Sequence, residues 1–265
     1  MTKKKNKNKI KYSLDTSCHI EKIKGRVKWV HKLKVQEQSL LYSPYYVLYE
    51  LKYGLINDWI NYYYLLEIDG PKQALNKWSD RYGHQPRKVQ NVLILHGIVL
   101  EDLDNSQISD NRAYLMSVET SIYTAINIIE WNMEGFFGDF RGNEVVQYEL
   151  SSRESFEEFS KIVANNKFVK FGDYIKNNQT SFEKLRDGLQ ARETTLEDKH
   201  KKVIDILVEV IKDHKRGDMH HNSKLLADSV ITIETPDKWG LISKDKFHAV
   251  ATAVLVKKFL DYSKI

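Results

Sequence analysis

Cysteine is almost missing from this 265-residue chain. Cys18 stands alone, which excludes an internal disulfide and any metal site built on cysteine spacing. Long apolar runs are missing too: the longest, Val92 to Leu100, is interrupted by His96 and Gly97 and falls short of the ~20 residues of a membrane span. The N-terminal lysines precede only a brief apolar stretch, so no secretory signal is read there. Together these absences predict a cytoplasmic protein with no membrane segment. There is no internal repeat or low-complexity linker, and no Gly-rich phosphate loop, Gly-x-Ser-x-Gly elbow or His-Glu-x-x-His.

An excess of one charge is also lacking once the ends are separated. The net charge is +5, but taking Lys3, Lys4, Lys5, Lys7, Lys9 and Lys11 from the 41 basic residues leaves 35 against 36 acidic ones. The basic excess is therefore confined to the N-terminal tail. Such a tail either holds phosphates by counterion release or serves as a solvated end.

What is present is enough apolar residue, 42%, to bury a sizeable core. Lys9 to Leu14 reads as a short strand ending at Asp15. Ser43-Pro44 reads as a helix start, with Ser as N-cap and Val47, Leu48, Leu51 and Leu55 at helical spacing. From Asn57 to Thr195 the pattern is mostly helical: Asn57 to Ile68, Lys72 to Tyr82, Arg87 to Leu100, and a long apolar run from Asp110 to Phe137. Val145 to Leu150 is a strand candidate, Ser151 with Glu154 a capping box, and Thr194 with Glu197 a second one. Leu225 to Ile233 reads as a helix, "LIS" as a buried strand, and Phe247 to Tyr262 as a closing helix.

Four acids occupy similar settings: Asp15 at a strand end, Glu50 beside an apolar helix stripe, Asp228 inside an apolar helix and Asp245 past a short strand. Singly, each is better read as a cap, a solvated helix residue or a turn-former. Jointly they suggest more, because sites in open α/β sheets form beyond the carboxyl ends of parallel strands. Carboxylates converging there repel one another unless a cation holds them. Oxygen-only ligands suit Mg²⁺ or Mn²⁺, and phosphodiester hydrolysis is the chemistry that uses such a cluster.

"SLDTSCHI", "SPYYVLYELKYGLI" and "LLADSVITIETPDKWGLISKDKF" in that order resemble the PIN-domain nucleases. Carried over by motif, Asp15, Glu50, Asp228 and Asp245 match the family's four acids. Ser243 stands where the family often has Thr, and Thr16 and Ser17 where the first strand's hydroxyl lies. Asp218, which opens "DMHHNSKLLADS", stands as an alternative third acid or a supporting one; its other reading is a helix N-cap. The resemblance covers about 100 residues, Lys9 to Ile56 and roughly His200 to Ile265. It implies an α/β fold with a PIN-like parallel sheet flanked by helices. Residues 1–8 would form the basic tail, 9–56 and 196–265 the core, and 57–195 a large mainly helical insertion. It further implies a Mg²⁺- or Mn²⁺-dependent endoribonuclease acting on RNA, as a toxin or defence effector restrained by an inhibitory partner protein, with homodimerisation common. The long apolar run from Asp110 offers an interface. A non-catalytic nucleic-acid or protein-binding scaffold, or a DNA-directed nuclease of the same fold, is the alternative.

Other features carry less. His220-His221 read as surface or phosphate-contacting residues. The aromatic "WINYYYLLE", Trp59 to Glu67, reads as core packing before base stacking. "RYGHQPRK", Arg81 to Lys88, is a basic loop, read as solvated or as an RNA contact.

Overall fold

The computed structural model of the chain describes residues 9–108, 110–165 and 171–265. The expected basic tail, residues 1–8, lies outside them, as do the side chains of His220 and His221. Five short strands form one all-parallel sheet: β1 (Lys11–Leu14), β2 (Leu40–Pro44), β3 (Gly135–Phe137), β4 (Gly240–Ser243) and β5 (Lys258–Asp261), in the order β3-β2-β1-β4-β5. Helices flank the sheet and make up most of the rest. Among the described residues none is long and apolar enough to cross a membrane.

Successive strand residues face opposite sides of a sheet, and the burial follows that rule. Leu14, Leu41 and Ile242 pack with Cys18, Trp29, Val30, Leu33 and Tyr262 on one side, whereas Leu241 joins the much larger cluster on the other. The larger cluster runs into the helices of residues 57–195, through Trp59, Tyr62, Leu95, Ile122 and Phe156. The Trp59–Tyr63 aromatics are therefore core, and Trp59 and Tyr62 have no exposed surface.

Several expectations from sequence are corrected. Ser43 does not cap a helix: it lies in β2, its hydroxyl donates to the Leu14 carbonyl at 2.8 Å, and the helix begins at Tyr45 with no side-chain cap. The run from Asp110 is a helix only over Asn111–Glu130, capped by Asp110; Gly135–Phe137 is the edge strand β3. Part of the 57–195 stretch thus belongs to the sheet. The apolar face of that helix is spent internally on Tyr114, Val118, Ile122 and Ile129, so it does not serve as an external interface. Val145 to Leu150 is not a strand: Glu144–Gln147 is a short helix capped by Asn143. The Thr194–Glu197 capping box does not form; the helix Asp198–Lys212 starts after Glu197 without a side-chain cap. The closing helix stops at Val254, and β5 follows it.

The break at Gly70 is as read. Gly70 has φ +72° and Pro71 follows, dividing Asn57–Tyr82 into two helical pieces, because neither residue propagates a helix through that point.

Candidate active site

The strand order puts a topological switch between β1 and β4. From β1 the chain steps outward to β2 and β3, then returns to lay β4 on the other side of β1. The loops leaving β1 and β4 diverge there and open a crevice at the carboxyl end of the sheet. Asp15 directly follows β1 and Asp245 lies two residues past β4. Glu50 ends the helix Tyr45–Glu50, after β2, at a switch to π-helical winding over Leu51–Ile56. Asp228 lies in the helix His220–Glu234 that leads to β4. All four acids line one cleft of about 550 Å³.

Asp15 is buried, and both its oxygens are engaged. Oδ1 accepts from the Cys18 amide at 2.9 Å and the Ser17 hydroxyl at 2.8 Å; Oδ2 accepts from the Ser243 hydroxyl at 2.5 Å. Ser243 Oγ in turn accepts from the Asp245 amide at 2.9 Å, which ties the end of β4 to the end of β1. Asp245 caps the helix Lys246–Val254 by accepting from the Phe247 amide at 2.7 Å. Glu50 accepts from Thr16 Oγ1 at 2.5 Å, and Arg87 stands 3.5 Å from its other oxygen. The three hydroxyl residues read as supporting, Thr16, Ser17 and Ser243, are therefore all bonded to the acids.

Asp228 has no such cap to make. Its carboxyl opens onto the cleft with 48% of the side chain exposed, yet dense protein on its other sides pushes its pKa up to about 6. The charges of Glu50, Asp245 and Asp15 push the same way, against His248. The four acids therefore sense one another across the cleft. Arg87, Lys199, Lys244 and Lys246 line it as well, and the Glu50 carboxylate holds the Arg87 guanidinium above its ordinary range.

Asp218 is not part of this group. Ten residues before Asp228, it is separated from it by about 15 Å of helical rise, and its carboxylate accepts from the Gly172 amide at 2.8 Å, at the start of the helix Phe171–Asn177. It serves as an anchor for that segment, so the choice between the two falls on Asp228.

Sequence reasoning missed His248. The ring is buried, with Nε2 3.6 Å from Asp228 and 3.9 Å from Asp15. Nδ1 lies 2.8 Å from the Thr232 hydroxyl, which donates to the Asp228 carbonyl. One signal was present: His248 is three residues past the cap Asp245, so one helix start presents both to the crevice. Lys199 and Arg87 come from segments far apart in sequence and carried no signal beyond the basic composition of the Arg81–Lys88 loop.

A divalent cation fits the donor chemistry here, since four mutually repelling carboxylates form a hard oxygen set. Their spacing is wider than one coordination sphere. Among the described residues no three His, Cys, Asp or Glu side chains are arranged to hold a metal ion. Compared with known proteins, the chain matches no family model, no curated protein and no solved structure.

Proposed function

We propose that the protein is a metal-dependent endoribonuclease of PIN type. The observation that carries this reading is that acids from four separate elements meet at the carboxyl ends of β1 and β4, with cations lining the same cleft. Asp15, Glu50, Asp228 and Asp245 would hold Mg²⁺ or Mn²⁺. A bound ion of this kind supplies a lowered pKa for a water and neutralises charge on a phosphodiester. The chain's own contribution is positioning: Thr16, Ser17 and Ser243 fix the rotamers of Glu50 and Asp15, and Arg87, Lys199, Lys244 and Lys246 orient the phosphate backbone. His248 fixes the relation between Asp15 and Asp228. The cation also favours the ionised form of Asp228, whose burial opposes it.

Incubating labelled RNA with the protein and Mn²⁺ gives cleavage, and either EDTA or Asp15→Asn abolishes it. Intact RNA under every condition overturns the proposal. Labelled single-stranded DNA in the same assay separates a ribonuclease from a DNA-directed nuclease. An inhibitory partner, homodimerisation and a toxin or defence role follow from the family resemblance alone and are proposed with it.

The second reading, a non-catalytic α/β scaffold, is favoured by the fact that Asp15 and Asp245 each satisfy a helix N-terminus. It predicts RNA binding that survives Asp15→Asn, with no cleavage in Mn²⁺.

A further inference from the structure

A second cavity, also of about 550 Å³, adjoins the acidic cleft, and Glu50 and Arg87 line both spaces. One wall is aromatic. Tyr46, Tyr49 and Tyr53 stand four and one residues before Glu50 and three after it, so one helical segment presents the acid to the cleft and the rings to the cavity. Tyr49 and Tyr53 stack with centroids 5.2 Å apart and planes 21° from parallel. The facing wall is polar and comes from the basic Arg81–Lys88 loop and the helix after it. Arg87 and Lys88 lie there, with Asn91 donating to Asp58 at 2.8 Å.

This combination selects its guest by chemistry. An apolar ligand would strip water from Arg87, Lys88 and Asp58 without replacing its hydrogen bonds. A sugar phosphate would leave the aromatic wall without a planar partner. A nucleotide meets both walls: its base offers a π-face and a hydrogen-bonding edge, and its phosphate suits a guanidinium. Arg87 sits at the junction, where the phosphate linking a base in the cavity to a strand in the cleft would pass.

We propose that this cavity is a subsite for one unpaired nucleotide of the substrate, its base against Tyr49 and Tyr53 and its phosphate on Arg87. The proposal rests on the nucleic-acid reading of the cleft and deepens it: the strand must be single-stranded there, since a base inside a duplex keeps its face against its neighbours.

The test uses the full chain carrying Asp15→Asn, in EDTA, with fluorescence anisotropy of a short labelled oligoadenylate. The single strand binds more tightly than the same strand annealed to its complement. Tyr53→Leu weakens single-strand binding by about 10-fold, within the roughly 5- to 100-fold range of one base–aromatic stack, and Tyr53→Phe retains it. Adenosine monophosphate displaces the labelled strand and ribose 5-phosphate does not, a comparison that needs no second variant to fold. Equal affinity for duplex, or equal displacement by the two competitors, overturns the subsite. So does unchanged binding by a folded Tyr53→Leu protein. Cleavage in Mn²⁺ without this aromatic dependence removes the subsite and leaves the nuclease; aromatic-dependent binding without cleavage does the reverse.

Discussion

At the scale of the residue, Asp15 unites two readings that the sequence set against each other. It is the N-cap of the first helix, as a turn-forming Asp should be, and it also looks into the cleft with Glu50 and Asp228. The two roles separate by substitution. Asparagine caps a helix about as well as aspartate, and its amide nitrogen can donate to the Ser17 or Ser243 oxygens, so Asp15→Asn removes the charge and keeps the contacts. Alanine removes the cap and strands a buried Ser243 hydroxyl. Urea melts are therefore expected to show Asp15→Asn within about 1 kcal/mol of the parent and Asp15→Ala lower by about 1–3 kcal/mol. A loss as large for asparagine as for alanine would mean that the charge itself stabilises the fold.

Elements were legible where the local pattern and the tertiary setting agreed. β1 and β4 carry short apolar runs ending in a polar turn, and both were read within a residue or two. β2 was hidden because Ser43-Pro44 has the chemistry of a helix start; only pairing with β1 and β3 makes it a strand. β3 has three residues, too few for a period. β5 was hidden because "ATAVLVKKFLDY" keeps an apolar helical spacing through the point where the helix stops. That stop has no Gly to mark it: Val256 holds the left-handed position at φ +58°. The Lys257 amide donates to the Thr252 carbonyl at 2.8 Å, the six-to-one bond of a Schellman ending. A β-branched residue is strained in that conformation, and Val256, 80% exposed, has little burial to lose. Val256→Gly is expected to raise stability by about 1 kcal/mol, net of the backbone entropy that glycine adds to the unfolded chain, read as a higher midpoint in a thermal or urea melt. A lower midpoint would show that the valine methyls contribute packing that their exposure conceals. The four site acids were legible as a set, whereas His248, Lys199 and the aromatic cavity were not, because their proximity is made by the sheet topology and not by any local pattern.

Across the whole molecule, long-range packing buries ionisable groups that link distant segments, and this gives the stability a characteristic pH dependence. Lys22, in the first helix, donates to the Ile129 and Trp131 carbonyls at 2.9 and 2.8 Å, at the end of the Asn111–Glu130 helix. Burial lowers its pKa to about 7. Glu234, at the end of the Asp228 helix, accepts from the Asp139 amide at 3.1 Å beside β3, and burial raises its pKa to about 8. The signs follow from proton counts. Folded Glu234 keeps a proton that the unfolded chain releases from its ordinary 4.5 upward, so its contribution is full below that pH and is lost as pH rises through about 8. Folded Lys22 gives up its proton near 7 while the unfolded chain holds one to 10.5; the penalty of burying it is therefore relieved as pH rises between those values. Each group changes stability by at most about 1.4 kcal/mol per pH unit within its window. Urea melts of the parent and of Glu234→Gln are expected to diverge with pH, the parent losing ground from about 4.5 to 8 and the difference then holding constant. Against Lys22→Met the parent should gain ground from about 7 to 10.5, on top of a constant advantage from the two carbonyls the methionine leaves unpaired. A difference that stays flat with pH for either variant would mean that the group titrates at its ordinary value, with water reaching a site that the packing closes off.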